Sequence, residues 1–259
     1  PPERPRENIG VFEFMSSSVS SEKPAPSIIR QIALDIMRIR REGGRIVVVA
    51  GPAVVHTGAA DFFARFIAEG YVDALLAGNA LAVHDVEAAL FGTSLGVSLR
   101  NGVTSMRGHR NHMAAINAIF EAGSLEAAVR GGLLNRGIMF ECIRRGVPYV
   151  LAGSIRDDGP VPDTICDMRV AQDKYKALLK GARMVIMLST MLHAIAVGNM
   201  LPSNVKIACV DINPAVVTKL LDRGTTQAVG VVSDVGTFLP LLLEELHALK
   251  TTSGERSRF

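Results

Sequence analysis

Six short apolar runs punctuate the chain: RIVVVA at 45–50, YVDALLA at 71–77, VPYVLAG at 147–153, MVIML at 184–188, VKIACV at 205–210 and AVGVVSD at 228–234. RIVVVA is continuous rather than alternating, as expected of a strand covered on both faces. Helix-length stretches separate the runs, several of them closed by Gly, such as Gly43-Gly44 and Gly131-Gly132. This alternation predicts an α/β protein with a doubly wound, mostly parallel, Rossmann-like sheet and right-handed crossovers. A chain of 259 residues, 48% hydrophobic and 20% charged, has enough apolar material for its core.

In such a sheet, ligands sit outside the carboxyl ends of the strands, so the residues that follow each run carry the functional reading. MVIML leads into Ser189, Thr190, Met191, Leu192 and His193, where a helix must begin; free backbone N–H groups and a Thr hydroxyl suit a phosphate. VKIACV leads into Asp211, whose carboxylate can accept both hydroxyls of an adenosine ribose, which favours NAD over NADP. The competing reading of Asp211-Ile212-Asn213-Pro214 is a helix cap followed by a helix-opening Pro. YVDALLA opens into Gly78-Asn79-Ala80, where Asn79 is either a polar contact for an amide or ribose or an ordinary turn residue. Asp234, at the end of the last run, either meets a ligand or caps the final helix.

RIVVVA enters a loop from Gly51 to Gly58 that matches neither G-x-G-x-x-G nor G-x-x-x-x-G-K-[ST]. Its glycines permit close approach of a ligand or simply tight turns, and His56 is a site residue or a loop histidine. His84 and Asp85, being consecutive on a helix, point in different directions and do not read as a catalytic pair. His109 and His112 are three apart at a helix start, but no carboxylate or Cys pattern accompanies them, so no metal is expected. The Gly/Ser/Arg segment at 92–111 reads as a lid, and the helix after it is expected to turn Met113, Ile116, Ile119 and Phe120 inward. VPYVLAG precedes Arg156, Asp157 and Asp158 on a Gly/Pro-stiffened loop. There a guanidinium can hold a substrate carboxylate while an Asp takes an ammonium or a proton; the alternative is a self-paired turn.

The net charge of +3 is spread along the chain, so nothing calls for nucleic acid. Cys142, Cys166 and Cys209 have neither a disulfide nor a zinc spacing, which fits a reducing cytoplasm. No run approaches the ~20 apolar residues of a membrane helix, and the start PPERPRENIG lacks a signal-peptide core. A mean hydropathy of +0.27 makes a homo-oligomer the expected state.

Together, FEFMSSSVSSEKP, VVVAGPAVVHTGA, VDALLAGNALAVHD, GTSLG, LAGSIRDDGPVPD, STMLHAIAVGN and VDINP resemble the conserved-region family once named after lysine-ketoglutarate reductase/saccharopine dehydrogenase (LOR/SDH). That group includes archaeal-type ornithine cyclodeaminase and the carboxyl-terminal part of cyanobacterial arginine dihydrolase/ornithine cyclodeaminase. VDINP with VVSDV also resembles deoxyhypusine synthase-like nucleotide domains. The resemblance implies a tightly bound NAD acting as an internal redox catalyst. Ornithine would be oxidised at its α-carbon, closed by its δ-amine with loss of ammonia, and reduced again to proline. Carried over by motif, it implies cofactor contacts at Asn79, Ala80, Asp158, Thr190, Met191, Leu192, His193, Asp211, Asp234 and Val235. Arg156, Asp157 and Asp158 are the catalytic candidates by residue type. It also implies a further amino-terminal subdomain, so residues 1–26 read as a linker or arm, 27–250 as the NAD-binding domain and 251–259 as a tail. Two alternatives stand beside the cyclodeaminase: a regulatory NAD-binding module, and a net amino-acid dehydrogenase of saccharopine dehydrogenase type.

Overall fold

The computed structural model describes residues 25–95, 97–99, 108–222 and 228–256. Most of the expected lid and the side chain of His109 lie outside these residues. The described elements are α1 (Ala25–Arg41), β1 (Arg45–Ala50), α2 (Ala53–His56), α3 (Ala60–Ala68), β2 (Ala74–Gly78), α4 (Asn79–Phe91), β3 (Thr93–Ser94) and β4 (Val97–Ser98). They continue with α5 (Gly108–Ala122), α6 (Leu125–Arg130), α7 (Ile138–Arg145), β5 (Tyr149–Ala152), β6 (Thr164–Ile165) and α8 (Met168–Leu179). The last are β7 (Ala182–Leu188), α9 (Met191–Gly198), β8 (Lys206–Asp211), α10 (Pro214–Asp222), β9 (Ala228–Val232) and α11 (Val235–Arg256).

Seven strands form one sheet in the order β6-β5-β2-β1-β7-β8-β9, and every pairing in it is parallel. β3 and β4 form a separate antiparallel hairpin. All six expected strands are present, and the two-residue β6 extends the edge. The chain builds outward from β1 through β2, β5 and β6, then returns to β7 on the other side of β1. The strand order therefore reverses between β1 and β7, where an open sheet of this kind has a crevice.

The apolar runs are continuous because each strand feeds two cores. Ile46 and Val48 of β1, Ile186 and Leu188 of β7 and Val210 of β8 pack on one face with α1, α3, α4 and α11. Val47, Val49, Val185, Met187, Ile207 and Cys209 pack on the other with α8, α9 and α10. Burial pushes the Cys209 thiol up to about 12, so it behaves as an apolar filler. α1 buries Ile29, Ile32, Ile36 and Ile39, a helical repeat, and ends in Arg38, Arg40 and Arg41 at the negative end of its dipole.

On α5, Ile116 and Ile119 are buried as expected, but Met113 and Phe120 are exposed. The inward stripe is His112, Ala115, Ile116 and Ile119, a better i, i+3, i+4, i+7 series than one including Met113. That register turns His112 into the protein.

Candidate functional site

The exits of β1 and β7 meet so closely that only glycine fits at position 51. A Cβ there would lie 2.3 Å from the Ser189 carbonyl oxygen and 3.0 Å from the Thr190 Cβ. Gly58 has φ +77° with open space around it, so it serves a turn. Both loop glycines are thus required by the chain's own backbone. Ser189 adopts φ +45°, an uncommon conformation for a residue with a side chain. It delivers Thr190 as the extended N-cap of α9, and the Thr190 hydroxyl makes no capping bond. The first N–H groups of α9 therefore face outward without a side-chain cap, next to exposed Met191 and Leu192.

At the end of β8, Asp211 Oδ1 accepts the Asn213 N–H at 2.8 Å, and Asn213 Oδ1 accepts the Ala215 N–H at 2.9 Å. Asn213, not Asp211, caps α10 ahead of Pro214. Asp211 Oδ2 has no hydrogen-bond partner among the described residues. It is flanked by exposed apolar Ile212 and by exposed Val232, its register neighbour on β9. The Asp234 carbonyl accepts the Thr237 and Phe238 N–H groups that open α11. Its carboxylate leans over Gly236, where a Cβ would come within 2.6 Å of Oδ2. Val235 is buried.

Across the switch point, Asn79 is buried in the first turn of α4, with half-buried Ala80 beside it. Asn79 Oδ1 accepts from the Val161 N–H and the Thr164 hydroxyl, both at 3.0 Å, and so ties down the loop between β5 and β6. The His193 ring lies over Gly78, whose Cβ would be 2.7 Å from Nε2. The Tyr175 hydroxyl donates to the Ala77 carbonyl at 2.7 Å and lies 3.2 Å from His193 Nδ1. With that proton committed to Ala77, His193 must donate through Nδ1, which leaves Nε2 as an acceptor. Burial holds the His193 pKa below its ordinary value, against the opposing charge of Asp157. The ring is therefore neutral at physiological pH.

The loop after β5 combines both readings open in the sequence. Asp157 Oδ2 accepts the Ser154 N–H at 2.7 Å and Ser154 Oγ accepts the Arg156 N–H at 3.2 Å, so the turn is self-bonded. The exposed Arg156 guanidinium nevertheless bonds neither Asp nor any other described residue. Asp158 is exposed, its Oδ2 4.0 Å from His112 Nε2.

Beneath this loop lies a cluster that no single segment of sequence displays. Glu87 is fully buried; it accepts from the Thr93 hydroxyl at 2.9 Å and the Leu95 N–H at 3.1 Å. His112 Nδ1 is 3.2 Å and His84 Nδ1 3.6 Å from Glu87 Oε2. The His56 ring packs edge-on to His84 at 4.5 Å, and His56 Nδ1 bonds Ser94 Oγ at 2.7 Å. Burial first, then neighbouring His84, pushes His56 down to about 4, so it too is neutral. His84, Glu87 and His112 offer ligand atoms within 4.8 Å of one another. Asp85 points the other way and receives the Ile138 and Met139 N–H groups at 2.8 Å each. The i, i+3 pair His84 and Glu87, and the inward stripe through His112, were the signals available in the sequence. Tyr175, on a helix that reads as polar, gave none.

A cavity of about 630 Å³ lined by Gly58, Asp61, Arg136 and their neighbours sits on the flank; none of its lining residues ends a strand of the seven-stranded sheet. The sheet edge gathers Asn79, Asp157, Asp158, the residues at 190–193, Asp211 and Asp234, which makes it the candidate site.

Residues 30–242 match the family described as arginine dihydrolase ArgZ-like, C-terminal, Rossmann fold. The chain belongs to this family. This ArgZ-like domain is 60% identical over 255 residues to the ornithine cyclodeaminase of Methanocaldococcus jannaschii, covering 96% of the chain and 60% of that relative. It thus spans about three fifths of the curated archaeal relative's length. A solved LOR/SDH-type protein from Methanococcus maripaludis superposes with a TM-score of 0.87 at 54% identity, covering 90% of this chain and 73% of the other. AgrE, solved in a ternary complex with ornithine and NAD+, superposes with a TM-score of 0.86 at 53% identity, over 90% of this chain and 34% of that one. A deoxyhypusine synthase-type protein from Entamoeba histolytica shares the fold at 14% identity and a TM-score of 0.52, over 79% of this chain and 75% of the other. Among the described residues no helix of the ArgZ-like domain is long and apolar enough to cross a membrane.

Proposed function

We propose that this domain holds NAD along the carboxyl edge of its sheet and, within the full-length protein, converts ornithine to proline and ammonia. The carrying observation is the pairing, on adjacent strand exits, of an uncapped helix start at Thr190 with Asp211 Oδ2, which its own turn leaves unused. The first suits a pyrophosphate and the second an adenosine ribose. Exposed Ile212 and Val232 offer apolar surface to an adenine beside that ribose. Asn79, Ala80, Asp158 and His193 stand toward the nicotinamide end, and Asp234 and Val235 border the adenosine end. Arg156 has the charge and freedom to take the substrate carboxylate, with Asp157 and Asp158 near the amines. Bound NAD supplies a two-electron acceptor that is regenerated within each turnover. The protein's residues bind, orient and move protons. We place it in the cytoplasm as a homo-oligomer, with residues 27–250 as the NAD-binding unit joined through 1–26 to a further subdomain.

Full-length protein given ornithine and substoichiometric NAD is expected to release proline and ammonia in equal amounts with no net NADH. Stoichiometric NADH would favour a net dehydrogenase, and bound NAD without turnover a regulatory module. Asp211→Ala is expected to weaken NAD binding roughly tenfold or more, about 1.4 kcal/mol, as loss of charge-assisted bonds predicts. Tyr175→Phe removes the acceptor of the His193 Nδ1 proton and should weaken NAD about fivefold, roughly the 1 kcal/mol of one hydrogen bond. Fluorescence titration with NADH reads both; unchanged affinity in Asp211→Ala would contradict the ribose assignment.

A further inference from the structure

We infer that His112, oriented by the buried carboxylate of Glu87, is the group that exchanges protons with the amine of the amino-acid substrate. The inference rests on the proposed NAD site, because strand order then fixes the direction in which the dinucleotide lies. With its ribose acid at the exit of β8 and its phosphates at α9, the nicotinamide end extends over the exits of β1, β2 and β5. Those exits lead into the elements that carry His56, His84, Glu87 and Asp158, and His112 packs against them from α5.

Glu87 is held rigidly. Thr93 and Leu95 donate to its two oxygens, and Asn111 Nδ2 donates to the Thr93 hydroxyl at 3.1 Å. His112 Nδ1, 3.2 Å from Glu87 Oε2, must therefore carry its proton toward that carboxylate. The tautomer leaves the Nε2 lone pair facing outward, toward Asp158 Oδ2 at 4.0 Å on the loop above the β5 exit. A buried carboxylate on one ring nitrogen, and a far nitrogen that among the described residues meets only the exposed Asp158 carboxylate at 4.0 Å, make up a positioned general base. A second observation points the same way. Among the described residues His84 Nδ1 is buried without a hydrogen-bond partner, aimed at the same carboxylate oxygen from 3.6 Å. Buried polar atoms left unpaired are few and call for an explanation. A site whose proton count changes during turnover supplies one.

The step balances without a co-reactant. An N–H bond of the substrate ammonium breaks, the electron pair stays on nitrogen as a free amine, and the proton forms a bond to His112 Nε2. The resulting imidazolium lies between the carboxylates of Glu87 and Asp158. Among the described residues, the titratable groups facing His112 are Glu87 and His84 from α4 and Asp158 from the β5 loop, with His56 of α2 beyond His84.

The test uses the full-length protein. H112Q is expected to lower kcat for ornithine at least 100-fold, the scale of lost general-base catalysis, with KM for ornithine and NAD affinity within about threefold. The acid limb of the kcat/KM profile should disappear. Calorimetry of ornithine binding in two buffers of different ionisation heat should show a changed proton count in H112Q, a readout that a purely structural histidine would not move. D158N changes an exposed residue and keeps the test open should H112Q fold poorly; without that carboxylate the imidazolium is less favoured, so the acid limb should move to lower pH. An active wild type with H112Q within fivefold in kcat, or an unmoved limb in D158N, overturns the assignment alone. A stoichiometric transition metal that E87Q loses would also overturn it, making His84, Glu87 and His112 a ligand set. An inactive wild type overturns the proposed function and this inference together.

Discussion

Gly51→Ala is expected to abolish measurable NAD binding while leaving a folded protein. The added methyl would sit 2.3 Å from the Ser189 carbonyl and 3.0 Å from the Thr190 Cβ. Neither is the far end of a flexible side chain, so the β1 and β7 exits must separate. Overpacking of this kind costs about 1–3 kcal/mol in stability. The larger effect falls on the site, because Ser189 and Thr190 set the start of α9, and a shift approaching 1 Å costs about 100-fold where geometry is demanding. Gly58→Ala is the control. It is strained at φ +77° but touches nothing within 4 Å, so it should cost about 1 kcal/mol and leave affinity unchanged. Thermal melts and NADH titrations separate the two. Equal loss of affinity in both variants would mean that position 51 is not special.

Asp85→Ala carries the largest expected loss of stability, about 3 kcal/mol or more, with NAD affinity preserved in the molecules that remain folded. The carboxylate is the buried acceptor for the first two N–H groups of α7 and lies against Gly137, where a Cβ would come within 2.7 Å. Deletion orphans two buried donors and leaves a cavity. Burial, opposed by those backbone bonds, raises Asp85 from 3.8 to about 6. Between those values the folded chain keeps a proton that the unfolded chain has lost. Ionisation of Asp85 therefore lowers stability as pH rises from about 4 to 6, and the contribution is level above that. In Asp85→Asn this descending component should vanish from denaturant-derived stability across that range. Its persistence would assign it to another group.

The strands were legible because each carries two buried faces: alternate residues such as Val47 and Val48 feed opposite cores, so both must be apolar. β6 was not legible, since two half-buried residues, Thr164 and Ile165, carry no pattern. The edge residues Asn79, Thr190 and Asp211 could be picked out because parallel topology alone gathers strand exits. Their bonding could not: whether Asp211 or Asn213 caps α10 depends on a turn of four residues. The cluster around Glu87 was hidden for a different reason. Its members come from α2, α4 and α5, and the register of α5 is set by packing that turns Met113 outward and His112 inward.

A crystal structure of this chain with NAD tests the site most directly. The account requires the pyrophosphate within hydrogen-bond distance of backbone N–H groups at 191–193, and the adenosine ribose hydroxyls on Asp211. The nicotinamide ring should lie on the β1, β2 and β5 side, above Gly78 and toward Asp158. A dinucleotide running the opposite way, with adenine over Asn79 and nicotinamide over Asp211, or one seated in the flank cavity beside Asp61 and Arg136, would contradict it.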